Sequence, residues 1–154
     1  MPRPISAMRA LVLAGPTLCL ALGLLLWSAR EADTRSAAKT LLATGKTVVG
    51  QQIAYPVQTP AKVTAVVVEM QPGEETGWHA HDVPMFGYIL EGEVTVNYGT
   101  HGTRVYRAGD AVMEAIDLAH DGRNTSEGVT RILAVFMGAE GVPNTVKAAA
   151  SPKP

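Results

Sequence analysis

The stretch Gly77 to Glu93 reads GWHAHDVPMFGYILEGE and sets two histidines, His79 and His81, one residue apart. In an extended chain such alternate residues project from one face. Both imidazoles can then be presented to a single point about 2 Å from each ring nitrogen, the distance at which imidazole holds a transition metal. A pair of exposed or hydrogen-bonded histidines fits the same spacing. Met85 keeps the odd parity of this pair, so an unbroken extended chain aims it at the same point. A thioether there is either a soft ligand, favouring reduced copper, or an apolar plug.

Two other histidines remain. His120, in DLAHDGRN, is placed in a loop after the run DAVMEA and is uninformative alone. His101 lies between Gly99 and Gly102 at a turn tip, where exposure is the default, and is given no role. Glu114 is the only carboxylate in the apolar run AVMEAI. Facing inward it would serve as a general base or orient an imidazole; facing outward it would meet solvent.

The elements that must carry these residues are short. KTVVGQQIAY, KVTAVVVEM, FGYIL, EVTVNY, TRVYRAG, DAVMEA and TRILAVFMG are β-branched, aromatic and broken by glycine, which predicts an all-β domain built as a sandwich or barrel. NYGTHGT reads as a hairpin turn, and LEGEV, around Gly92, as a tight turn or bulge. Phe86 and Tyr88, opposite in parity to the histidines, are expected between sheets. Trp78 is expected as a roof of the barrel or on the surface, and Asp82 and Asp121 in salt bridges or solvent.

The chain has 154 residues, room for one domain. Lys plus Arg number 13 and Asp plus Glu 14, so there is no basic footprint and nucleic acid is not expected as a partner. The single cysteine, Cys19, excludes a disulfide framework and a Cys-based zinc site; any metal must be held by His, carboxylate or Met. No phosphate loop and no serine nucleophile elbow occur.

Cys19 lies in a run, Ala10 to Trp27, that is free of charge for 18 residues and follows Arg3 and Arg9. Its length is near the roughly 17 to 25 residues that span a bilayer. An uncleaved anchor is favoured over a cleaved signal, because Trp27 or Arg30 would stand where a small residue is needed for cleavage. Arg3 and Arg9 place the start of the chain in the cytoplasm and the bulk outside it. Cleavage would instead give a secreted protein. Residues 1–30 are thus read as anchor or uncleaved signal, 31–45 as a stalk, 46–140 as the β-barrel and 141–154 as a C-terminal tail.

Two motifs, taken together, resemble the cupin superfamily. Gly73, His79, His81 and Gly92 match the first, with Met85 in the place of its Glu. Gly109, His120 and Asn124 match the second, with Ala115 for its Pro and Asp117 for its second Gly. The resemblance covers roughly Gly45 to Gly138 and implies a double-stranded β-helix, or jelly roll. It implies His79, His81 and His120 as metal ligands, with the acidic ligand missing at Met85.

Three neutral imidazoles leave a divalent charge uncompensated, which favours Fe, Cu, Ni or Zn over Mn. An anionic substrate or hydroxide would then supply the missing charge. The expectation is a membrane-anchored, extracytoplasmic cupin that binds a transition metal and a small-molecule ligand, with family analogy suggesting a homodimer. The alternatives are a mononuclear iron dioxygenase-type enzyme and a metal-free binder of a sugar-like ligand.

Overall fold

In a computed structural model of the chain, residues 38–57 and 59–149 are described. The expected membrane segment in residues 1–30 lies outside them. Among the described residues no helix is long and apolar enough to cross a membrane. Residues 38–44 are exposed and irregular, and a tight turn follows around Gly50, closed by Gly50 N–H on the Thr47 carbonyl at 2.9 Å. The run KTVVGQQIAY is therefore not a strand. Thr47 and Gln51 satisfy each other's backbone and side chains across the turn, so the chain doubles back where alternation alone favoured extension.

The six remaining runs form strands, and three further short strands join them, giving β1 (Ala61–Met70), β2 (His79–Ala80), β3 (Met85–Glu91), β4 (Glu93–Asn97), β5 (Thr103–Arg107), β6 (Ala111–Met113), β7 (Asp121–Asn124), β8 (Thr130–Ala139) and β9 (Val146–Lys147). The only helix among the described residues is one 3-10 turn, Gly99–His101, at the tip of the β4–β5 hairpin. The described residues are all-β, consistent with the jelly roll.

Pairing is antiparallel in a four-stranded sheet ordered β1-β8-β3-β6 and a three-stranded sheet ordered β5-β4-β7. Period-two alternation sorts the residues. Val68, Gly87, Ile89, Val112, Ile132, Ala134 and Phe136 of the larger sheet and Val94, Val96 and Tyr106 of the smaller one line a common cavity. Below it Met70, Ile89, Val94, Val96, Tyr98 and Ala115 form one buried cluster; Val83, Ala134 and Phe136, with Met85 packed on them, form another.

Phe86 and Tyr88, expected between sheets, are half-buried on the outer face of the larger sheet, because their neighbours of opposite parity fill the interior. Two strands escaped the sequence reading. DGRN forms β7, held by β4 despite its polarity, and Val146–Lys147 pairs with His79–Ala80, so part of the segment assigned to a tail is built into the sheet structure.

The turn at LEGEV is a constraint. The β3–β8 register slips between Ile89 and Glu91, and Gly92 follows with φ +78°. A Cβ at Gly92 would stand 2.8 Å from the Val129 carbonyl oxygen and closer still to the Thr130 hydroxyl. That hydroxyl is fixed, donating to the Glu93 carbonyl and accepting from the Glu93 N–H. Gly92→Ala therefore combines a left-handed backbone with a clash, and is expected to destabilise by more than ~1 kcal/mol, lowering Tm by about 4–8 °C per kcal/mol in a domain of this size. Thermal unfolding followed by circular dichroism checks this; an unchanged Tm would show that the turn relaxes freely.

Candidate metal centre

The backbone brings the histidines together before their side chains are considered. His79 N–H donates to the His120 carbonyl at 3.0 Å and His120 N–H returns the bond at 2.9 Å. Facing residues of such a pair project to the same side. Asp117 N–H donates to the His81 carbonyl at 2.9 Å, latching the 114–120 loop along the other histidine. Asp117 has φ +54°, the one positive φ outside glycine among the described residues. It occupies the position where the cupin motif has its second glycine, and Asp tolerates this region better than most residues.

Each imidazole is then fixed through Nδ1. That of His79 lies 2.8 Å from the Gly77 carbonyl, that of His120 2.9 Å from the Leu118 carbonyl, and that of His81 3.2 Å from both the Asn144 carbonyl and the Thr145 hydroxyl. A carbonyl only accepts, so Nδ1 carries the proton in all three rings and the lone pair of the neutral ring sits on Nε2. The ring centroids are 4.4 to 5.0 Å apart, and one ligand nitrogen from each lies within 4.8 Å of the others. His81 Nε2 is buried without any hydrogen-bond partner. An orphaned buried acceptor of this kind calls for an explanation, and a metal supplies one. The donor set fits a divalent transition ion: three neutral imidazoles, each oriented by an outer hydrogen bond.

Electrostatics agree with neutrality. Burial pushes the His81 imidazole down to about 3, with His120 and His79 adding to the effect. His79 and His120 are also lowered, chiefly by burial. His81 and His120 are only 3% and 2% exposed.

The cavity around them is about 630 Å³, mostly apolar, and Trp78, Met85, Glu114, Thr145 and Lys147 join its lining. Trp78 therefore belongs to the pocket wall. Met85 both lines the pocket and packs against the cluster of Val83, Ala134 and Phe136. Glu114 faces inward and is 4% exposed; its Oε2 accepts from the Tyr98 hydroxyl at 3.0 Å and its Oε1 from Ala115 N–H at 2.8 Å. Burial raises its pKa, and raises those of Tyr98 and Tyr106.

His101 is exposed and away from this group, as is Asp82; Asp121 accepts a hydrogen bond from Thr76. Asn124 plays a structural part, because its side chain binds the Met70 and Gly128 carbonyls and the Ser126 N–H and hydroxyl, closing the turn after β7.

Several participants were not singled out from sequence. Tyr98 could have been: Val94, Val96 and Tyr98 share one parity in EVTVNY, which marks the tyrosine as inward. Asn144, Thr145 and Lys147 carried no such signal. They reach the site because β9 pairs with β2, setting Lys147 across from His79.

Residues 66–136 match the family model of the cupin domain, which supports the cupin superfamily. Among solved structures, the chain is similar to the DMSP lyase DddQ from Ruegeria pomeroyi DSS-3, at 26% identity and TM-score 0.50, covering 56% of this chain and 43% of that one. It is similar to the oxalate decarboxylase from Lactobacillus farciminis, solved as a formate complex, at 25% identity and TM-score 0.48, covering 58% and 27% respectively. A double-stranded β-helix protein from Klebsiella pneumoniae matches at 16% identity and TM-score 0.49, over 77% and 94%. The chain thus spans less than half the length of the two enzymes. No curated protein sequence matches it.

The three lowered histidines set a pH dependence for the metal-free protein. Unfolded, each binds a proton near 6.5, whereas folded they stay neutral until lower pH, His81 to about 3. Below 6.5 the unfolded state therefore holds more protons, and stability falls with falling pH. Glu114, raised by burial, works in the opposite sense, but as one group against three. Metal-free protein is expected to lose stability steadily from pH 6.5 toward 4.5, measured by urea unfolding at each pH; a flat profile would mean that the rings are not buried as neutral donors.

Proposed function

We propose that this chain is a cupin whose His79, His81 and His120 hold a divalent transition metal facing a cavity that admits a small-molecule ligand. The observation that carries this reading is the common orientation of the three rings: Nδ1 spent on the backbone, Nε2 turned to one point, and one of those Nε2 atoms buried with no partner. A structural role for these histidines, two buried and one half-buried, would leave that acceptor unexplained.

With Met85 where the family motif has Glu, the ligand set carries no charge. That favours Fe, Cu, Ni or Zn over Mn. A metal so held supplies Lewis acidity and open positions for a bound molecule. The chain's own residues provide the rest: an apolar wall from both sheets that excludes water, Trp78, Thr145 and Lys147 as polar or aromatic lining, and an inward carboxylate at Glu114. A mononuclear iron dioxygenase-type activity is the enzymatic form of this reading, since three protein ligands leave positions open for a chelating small molecule. Glu114 is then the candidate acid–base group.

Domain assignment follows the sequence. We propose residues 1–30 as a membrane anchor or uncleaved signal and 31–45 as a stalk, with an extracytoplasmic cupin domain that begins at 46 and runs past 140 to include β9.

A homodimer fits β1. This ten-residue strand lies at the sheet edge and exposes Val63 and Val67 at 68% and 56%. Long apolar edges invite strand pairing. The strand is self-complementary: antiparallel pairing about its centre sets Lys62 against Glu69 of the partner subunit, with only Val, Thr and Ala between.

Metal content of the protein purified without a histidine tag, under several loading conditions, tests the centre. Stoichiometric transition metal is expected in wild type and loss in His79→Ala; absence from wild type would sink the claim and leave the metal-free binder. Met85→Leu separates its two roles: loss of copper marks a soft ligand, unchanged iron a plug. For the dimer, Val67→Lys is expected to shift sedimentation from dimer to monomer, and a wild-type monomer would remove the proposal.

A further inference from the structure

We infer that Glu114 supplies the negative charge that Met85 withholds, so that the pocket keeps its carboxylate but carries it one strand over, beside the metal instead of among its ligands. The inference rests on the three-histidine reading and extends it.

The placement follows from strand register. Phe86 pairs with Met113 across β3 and β6, and Glu114 N–H donates to the Met85 carbonyl at 2.9 Å, so Met85 and Glu114 stand opposite each other. Opposed residues of an antiparallel pair share a face. Both line the cavity that holds His79, His81 and His120. A carboxylate lost from one side of the pair is thus present on the other, projecting to the same side of the sheet.

Glu114 also needs an explanation that the apolar core does not give. It is buried, and it makes no ion pair among the described residues. A buried carboxylate without a cation is strongly disfavoured unless it is heavily hydrogen-bonded. It receives two donors, Tyr98 O–H and Ala115 N–H, which leaves acceptor capacity on both oxygens. Tyr98 is in turn tied to the Tyr106 hydroxyl at 3.2 Å, and Tyr106 lines the cavity from the other sheet. The carboxylate is therefore fixed in direction from both sheets.

Around it, the pocket offers only three neutral rings and no cation other than exposed Lys147. Without a cation the buried acid can stay neutral; for it to carry its charge a cation must come from outside the chain, and the adjacent set of three nitrogen donors is suited to hold one. Glu114 lies outside the group of mutually close ligand atoms. Its part is to lower the energy of the charge held there and to accept a hydrogen bond from what that ion carries, not to coordinate it.

The test is zinc affinity, measured at one neutral pH by competition with a chromophoric chelator. The proteins are wild type, Glu114→Gln, Glu114→Asp and the double variant Met85→Glu/Glu114→Gln, with the metal-free Tm of each as the control for folding. Glu114→Gln, which keeps an acceptor for Tyr98 and removes the charge, is expected to weaken binding about 10–100-fold, the usual effect of losing an outer partner of a metal site. Glu114→Asp should keep most of the affinity, and the double variant should recover it by returning the charge to the opposite strand.

Unchanged affinity in Glu114→Gln would overturn the inference while leaving the three-histidine site standing. So would a loss that Met85→Glu cannot repair, because it would make Glu114 a packing residue held by Tyr98. If Glu114→Gln does not fold, Glu114→Asp decides: retained affinity supports the charge, lost affinity refutes it. Wild type that binds no zinc, copper, iron or nickel removes the centre and this inference with it.

Discussion

Everything at the centre depends on three hydrogen bonds from imidazole Nδ1 to backbone carbonyls, at Gly77, Leu118 and Asn144. They decide the tautomer, and the tautomer decides that three lone pairs meet in one place. Two of the carbonyls lie two residues before their own histidine, so His79 and His120 are oriented by local backbone. The third comes from the far end of the chain. His81 has its pKa lowered to about 3, by burial and by its two histidine neighbours, and its ring is fixed only because the segment before β9 closes over it. The site is therefore not complete when the two motifs have folded; it requires residues beyond the segment that matches the cupin model.

Burial and charge are coupled in this pocket. Apolar walls from two sheets keep the imidazoles neutral, the form in which they can bind a metal, and the same walls raise the pKa of Glu114. A cation entering the cavity reverses that balance, since it favours the ionised carboxylate and is favoured by it. The pair of Met85 and Glu114 thus separates two roles that a single ligating Glu would combine. The thioether packs against Val83 and Phe136, and on the inference above the acid would keep its charge off the metal's own coordination sphere. An uncharged ligand set with an acid nearby suits a bound molecule that brings its own anionic atom and exchanges a proton.

The sequence made the fold class and the histidines legible for a physical reason: β-branched runs of period two and His-x-His parity are local properties. Six of the apolar runs became strands, and LEGEV became a tight turn at Gly92 with a register slip just before it. What could not be read was set by partners distant in the chain. DGRN has no strand propensity, yet β4 supplies its hydrogen bonds. Val146–Lys147 is indistinguishable from a tail until β2 pairs with it. KTVVGQQIAY has the composition of a strand but is folded back by Thr47, Gln51 and Gly50. Glu114 was ambiguous because alternation gives each strand two faces and a short strand does not say which is inside.

The three departures from the cupin motifs sort by what each position does. Asp117 stands at a position that requires φ above zero, and it still adopts +54°, so the backbone demand survives a change of residue. Ala115, in the place of Pro, is fully buried, and its N–H donates to Glu114, a bond that proline has no hydrogen to make. Only the third departure, Met85, changes the charge of the site. The positions of these departures meet in space: the Ala115 N–H donates to the carboxylate of Glu114, which stands opposite Met85 just past β6. Proline at 115 would strip a donor from Glu114, so the residue at 115 bears directly on the role inferred for that acid.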